Sequence, residues 1–251
     1  MKISFFEEFP NKDSLSKLNL IDFSTRIFLA DYHLDSFKLY EKEIKSNNKN
    51  IKELVWWPVI NINEGYWLSP FSERFALLRV LHSLLNKKIP ILWDAEFPRN
   101  RYLLFSQIFK FYRNKKLITA FFKKYEGKIY TAEYAFSNSI INKILSYMCF
   151  YFDPKKYDNF MIKMLYSSMK NISNDEMGKV VSEGIKKYGE KFIVGLGVLT
   201  YGINGNEKVI SYELLERDLE ICKRNNVSEV VIFRLGGLNK EYLDIIKKFL
   251  D

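Results

Sequence analysis

Short apolar runs alternate along the whole chain with longer stretches in which apolar residues recur every three or four positions. The runs are Ile3–Phe6, Arg26–Ala30 (RIFLA), Glu53–Ile60 (ELVWWPVI), Ile89–Pro98 (IPILWDAEFP), Lys128–Ala135 (KIYTAEYA), Met161–Ser167 (MIKMLYS), Phe192–Leu199 (FIVGLGVL) and Glu229–Arg234 (EVVIFR). Their β-branched and aromatic content, bounded by turn residues, predicts strands. The stretches between them predict helices. Asp35–Lys45 puts Phe37, Tyr40 and Ile44 on one face. Ser72 is placed to cap a helix reaching about Leu85. Asn100–Tyr125 is helical in pattern with a break near Arg113–Lys116, and Ser139–Met148 follows the fifth strand. Asn174 or Asp175 opens a helix that Gly189 ends. Ser211 caps Tyr212–Asn225, which carries Lys223 and Arg224 in its last turn, and Lys240–Leu250 closes the chain. Ser14–Leu20 reads as a short helical turn and Asp153–Asp158 as a loop.

Strands alternating with helices predict parallel βαβ units. Eight such units in 251 residues predict an α/β protein with a single (β/α)8 barrel domain spanning residues 1–251, a fold that typically takes about 250 residues. A doubly wound open sheet is the alternative. No GxGxxG follows the first strand, which argues against a dinucleotide site.

Composition narrows the partners. Hydrophobic residues make up 47% of the chain, ample for a core. The net charge is +9, which permits an anionic partner. The lysines are spread over predicted helices and loops, with no block of five or six like charges and no finger or RNA-binding signature, so no nucleic-acid partner is expected. No apolar run approaches the ~18 residues of a membrane span. The MKISFFEEFP start has no apolar signal core. We therefore expect a cytoplasmic protein with no membrane partner. Cys149 and Cys222 stand far apart in sequence, so neither a disulfide framework nor a metal cluster is expected.

In a barrel of this class the site lies at the C-terminal ends of the strands. Those ends carry Glu7 and Glu8; Asp31 and His33; Trp56, Trp57 and, in the loop beyond, Trp67; Trp93, Asp94 and Glu96; Glu133 and Tyr134; Tyr166 and Ser167; Thr200 and Tyr201; and Arg234 before Gly236 and Gly237. Side chains alternate along a strand, so Leu92, Asp94 and Glu96 share one face, and only one of Glu7 and Glu8 can face inward, Glu8 being in phase with Phe6. By the same rule at least one of Trp56, Trp57 and Trp93 packs against the outer helices. Carboxylates serve acid, base or nucleophile roles, and neighbouring acids push one another's pKa values apart. Flat aromatics offer stacking faces for a sugar. The mouth therefore suits a neutral carbohydrate or another small molecule, with Glu8, Trp57, Trp67, Trp93, Tyr134, Tyr201 and Arg234 as candidate binding residues and Glu133 as a candidate second acid. No cofactor and no metal are expected, since no spacing such as HExxH is present.

Three segments resemble family 18 glycoside hydrolases. ILWDAE at Ile91–Glu96 is similar to the end of that family's DxxDxDxE signature, Met164–Leu165–Tyr166 to its MxY, and Val194–Gly202 (VGLGVLTYG) to its GLPxYG. They fall on the fourth, sixth and seventh strands, where the family carries them on a (β/α)8 barrel. The resemblance implies a substrate bearing an N-acetylhexosamine. Glu96 would be the general acid, Asp94 would orient the acetamido group whose oxygen attacks the anomeric carbon, and Tyr166 would hydrogen-bond that oxygen, the substrate-assisted variant of glycoside hydrolysis. The signature's two earlier aspartates are Ile89 and Leu92 here, and Phe233 and Arg234 stand where the family has a tryptophan platform.

Three other readings stay open. Asp94 and Glu96 could be a structural pair bridged to Arg99 or Arg101. Gly236 and Gly237, with the Gly202–Gly205 loop, could bind phosphate, as loops after strands seven and eight of barrels often do, making the protein an isomerase, aldolase or lyase of a phosphorylated metabolite. A non-catalytic carbohydrate-binding barrel is the third.

Overall fold

The computed structural model describes residues 1–134 and 139–250. Eight parallel strands close into a barrel in chain order: β1 (Lys2–Glu7), β2 (Thr25–Asp31), β3 (Ile51–Pro58), β4 (Ile91–Asp94), β5 (Ile129–Tyr134), β6 (Phe160–Met164), β7 (Phe192–Gly197) and β8 (Glu229–Phe233). Closure is direct. β8 pairs with β1 in parallel from Lys2↔Glu229 to Phe6↔Phe233, so the fold is the (β/α)8 barrel and not an open sheet. The outer layer holds α1 (Lys12–Ser16), α2 (Leu34–Asn47), α3 (Arg74–Ser83), α4 (Tyr102–Ser106), α5 (Phe111–Lys124), α6 (Ser139–Tyr147), α7 (Pro154–Tyr157), α8 (Asn174–Tyr188), α9 (Tyr212–Arg224) and α10 (Lys240–Lys247).

Strand alternation divides the core in two. One set of side chains packs between barrel and helices, including Phe5, Ile27, Trp56, Trp93, Met161 and Ile232. The other fills the barrel: Phe6, Phe28, Val55, Leu92, Tyr130, Ile162, Ile193 and Val231. Above these, towards the strands' C-terminal ends, the inward positions on β2 and β5 are the small Ala30 and Ala132. Small residues in that layer leave room for a cavity.

Several elements differ from the sequence expectation. The Asn100–Tyr125 helix breaks earlier than its pattern suggested, at Gln107–Lys110 between α4 and α5. Glu73, not Ser72, caps α3, its carboxylate accepting from Phe75 N and Ala76 N. Ser72 is instead buried, donating to the Trp67 carbonyl (2.8 Å) and accepting from Ser69 N (2.8 Å). A capping hydroxyl was thus recruited to shape the loop that carries Trp67. Ser173 caps α8 ahead of Asn174, and part of the expected loop at Asp153–Asp158 forms the short α7. Ala135, expected at the end of the fifth strand, lies outside the described residues. Among the described residues no helix is long and apolar enough to cross a membrane.

Candidate active site

A cavity of about 480 Å³ opens at the C-terminal ends of the strands. Phe6, Trp57, Ala132 and Phe233 line its depth, together with Glu8, Asp94, Glu96, Tyr134 and Tyr166. Residues of the loops after β6 and β7, among them Met169, Asn171, Asn204 and Glu207, complete the wall.

Asp94 ends β4 with its side chain on the same face as the fully buried Leu92. It is itself buried, and among the described residues its Oδ1 has no hydrogen-bond partner. Trp67 hydrogen-bonds its side chain. Burial, then the charges of Glu96 and Glu8, hold its carboxyl well above the usual range. Glu96, one step further along the same face, accepts a hydrogen bond from the Tyr134 hydroxyl. Burial and the nearby Glu207 push it up to about 7, against the lowering effects of that hydrogen bond and of Arg101. Among the described residues neither acid forms an ion pair with Arg99 or Arg101, so the bridged-pair alternative is not what the side chains do.

Glu8 faces the cavity from β1, as its phase with Phe6 required. Its Oε1 accepts from the Tyr66 hydroxyl (2.8 Å) and its Oε2 from Ile203 N (3.0 Å). Burial nevertheless raises it to about 7. Tyr66, Tyr134 and Tyr166 all have phenols pushed upward by burial and by these carboxyls, so they stay protonated donors around the acids. Trp57 contributes an indole Nε1 and Glu207 an Oε2, both buried and without partners among the described residues. Buried polar atoms are normally paired. Here one donor and two acceptors, counting Asp94 Oδ1, line a single cavity.

Other expected site residues stand elsewhere. Trp93 faces out of the barrel, packed against Phe121, Phe122 and Phe152 at ring distances of 6.0, 5.2 and 6.4 Å, because it is one residue out of phase with Asp94. Glu133 is out of phase with Tyr134 in the same way. It lies fully buried in the barrel–helix layer, accepting from Thr131 Oγ1 and Phe152 N, both at 2.9 Å, with Lys163 Nζ at 3.9 Å. The carboxyl expected as a second acid thus lies away from the cavity lining. Tyr201 is 55% exposed and outside the cavity, where its carbonyl accepts from Arg234 Nε (2.9 Å). Arg234 pairs with Glu7 (2.6 Å). The proposed phosphate loop is already satisfied: Gly236 N donates to Glu7 Oε2 at 2.7 Å, and Gly237 N donates to the Arg234 carbonyl at 3.1 Å. A Cβ on Gly237 would stand 2.4 Å from the Leu199 carbonyl oxygen, so close packing accounts for that glycine.

Sequence reasoning missed Glu207, Tyr66 and the Ile203 amide. Glu207 sits in a turn-rich loop after the seventh strand; an isolated acid at a strand's C-terminal exit was the available signal. Among the described residues no group of three His, Cys, Asp or Glu is arranged to hold a metal ion.

No family model matches the sequence, and no curated protein matches it. Solved structures share the fold. A class V chitinase from Pseudomonas fluorescens Pf-5 superposes with a TM-score of 0.60 at 10% identity, over 100% of this chain and 99% of that one. The PgaB (BpsB) glycoside hydrolase domain from Bordetella bronchiseptica gives 0.54 at 11% identity, over 97% and 95%. A D-psicose 3-epimerase studied with D-fructose gives 0.51 at 12% identity, over 98% and 89%. The chain thus has a barrel like that of glycoside hydrolases, shared also by an epimerase.

Proposed function

We propose that the protein is a glycoside hydrolase acting on a carbohydrate that contains an N-acetylhexosamine. The observation that carries this reading is the pair Asp94 and Glu96, in phase at the end of β4 and opening onto one aromatic-lined cavity. Glu96, protonated up to about pH 7, is suited to give its proton to the glycosidic oxygen as the bond to the anomeric carbon breaks. The substrate's acetamido oxygen attacks that carbon, its amide N–H directed to the unpartnered Asp94 Oδ1 and its oxygen steadied by the Tyr166 phenol. Water then opens the cyclic intermediate, giving its proton to the Glu96 carboxylate, and the acid is restored. Trp57 and Trp67 offer ring faces to the sugar.

Leu92 fills the barrel centre below Asp94, where the resembling family has another acid. Here Trp67 is the hydrogen-bonding neighbour of Asp94. The test is turnover of N-acetylglucosamine oligomers by the wild type and by Glu96→Gln. Hydrolysis that survives the substitution sinks the reading. Binding that survives it, with no hydrolysis by either form, favours a non-catalytic carbohydrate-binding barrel.

A further inference from the structure

The net charge of the chain is concentrated in one connection. Between Glu96 and Glu126 there are eight Lys or Arg and no Asp or Glu, against +9 for the whole chain. In sequence they are interleaved with aromatics, which hid them as a block. Four of them, Lys110, Arg113, Lys115 and Lys116, lie at the break between α4 and α5 and on the first turns of α5, while Lys123 and Lys124 lie at its far end. Here Phe109 is 93% exposed and Phe105 75%, with Ile108 and Tyr112 both above half. These are large apolar groups for a water-facing surface. α5 cannot hide them, because its buried face is Asn114, Ile118 and Phe122. The patch continues onto α6. Lys115 Nζ lies 3.2 Å from the centre of the Tyr147 ring, and Phe111 is 6.2 Å from the same ring; Ile144 and Tyr147 are themselves exposed. Among the described residues Lys110, Arg113, Lys115 and Lys116 form no ion pair.

We infer that this face docks on an anionic membrane surface, its aromatics entering the headgroup boundary and its lysines and arginines meeting the lipid phosphates. Exposed aromatic and aliphatic side chains rimmed by uncompensated basic ones are what an interfacial lipid site requires. A second copy of the chain would set basic rim against basic rim. A neutral polysaccharide gives the charges nothing to meet. Nucleic acid leaves Ile108 and Ile144 without a suitable partner. The expectation of no membrane partner rested on the lack of a spanning segment, and surface docking needs none. α4 and α6 follow the C-terminal ends of β4 and β5, the end at which the cavity opens, so docking sets the mouth beside the bilayer. This inference does not depend on the sugar chemistry proposed above.

The test is co-sedimentation of the full chain with phosphatidylcholine vesicles, with and without phosphatidylglycerol. Binding is expected to the anionic vesicles and to fall as salt rises. Phe105→Ser with Phe109→Ser should cut the partition coefficient at least tenfold. Lys110→Gln and Arg113→Gln should each cut it about fivefold, the contribution of one basic residue near an anionic surface. All these variants should keep the wild-type unfolding midpoint. No binding to anionic vesicles, equal binding to neutral ones, or binding indifferent to the substitutions overturns the inference. So does a concentration-dependent dimer abolished by the phenylalanine changes in a protein that ignores vesicles, or sedimentation with an insoluble polysaccharide alone.

Discussion

The two ends of the barrel interior both hold buried carboxylates, and they hold them differently. At the N-terminal end of the strands, Arg26 of β2 reaches Glu53 of β3 and Glu229 of β8, Ser4 Oγ donates to Glu229 at 2.6 Å, and the guanidinium lies 4.9 Å from the Tyr130 ring. At the opposite end Glu8, Asp94 and Glu96 are surrounded by phenols, indoles and backbone N–H, with no cation bonded to any of them among the described residues. An acid matched to arginine is held in place by the pair. An acid given only neutral donors in a buried setting keeps its proton instead, and can pass it on. The contrast sets an end held by ion pairs against the end that the proposed reaction would use.

The largest effect expected is on turnover. Glu96→Gln should lower hydrolysis of an N-acetylhexosamine oligomer by about a thousandfold, within the usual reach of a general acid, while the denaturation midpoint holds or rises because a buried ionisable group has gone. An unfolded variant, or one that keeps its activity, would dissolve the distinction between the two ends. Next is the opposite perturbation. Arg26→Met strands Glu53 and Glu229 and should cost roughly 3–5 kcal/mol in denaturant unfolding, with turnover per folded molecule little changed; adding Glu229→Gln should recover part of the loss.

A pH scan sharpens the comparison further. Glu8, Glu96 and Glu133 hold their protons to about 7 in the folded protein, above the ordinary 4.5. The folded state binds these protons more tightly than the unfolded chain does. Their stabilising contribution is therefore complete below about pH 4.5 and is lost as pH rises through 7. Stability, and the thermal midpoint with it, should fall between pH 5 and pH 8 by on the order of 3 kcal/mol for each of these groups, and Glu8→Gln should flatten the slope. A midpoint that climbs over this range contradicts the assignment. Turnover should fall on the alkaline side through the same region as Glu96 ionises. The smallest effect expected is that of Glu133→Gln, which should leave kcat within about twofold because its carboxyl faces the helices; a loss like that of Glu96→Gln would return it to the catalytic set.

The barrel was legible because strand and helix periods alternate without interruption, and alternation alone put Glu8, Asp94 and Glu96 on the inner face. The same rule, applied one residue further, places Trp93 and Glu133 outside; composition at a strand end had outweighed phase for both. Tyr66 and Glu207 were not legible. They come from loops whose path depends on packing, such as the buried Ser72 that shapes the turn under Trp67. The glycine pair after β8 has the sequence of an anion site, and only the structure shows that Glu7, from the other end of the chain, already occupies it. Lys110, Arg113, Lys115 and Lys116 became part of a patch only with a helix break that lies six residues earlier than its pattern suggested.

Glu7 and Glu8 are neighbours in sequence with unrelated duties. Glu7 points outward and latches the seam where first and last strands meet, holding Phe9 N, Arg234 and Gly236 N, while Glu8 points into the cavity. Because faces alternate with every residue, a one-residue insertion or deletion in β1 would exchange the two. Such a slip would unlatch the seam and misplace an acid in the same step. The strand that closes the cylinder is thus also a ruler for its chemistry, and errors in its length cannot damage one without the other.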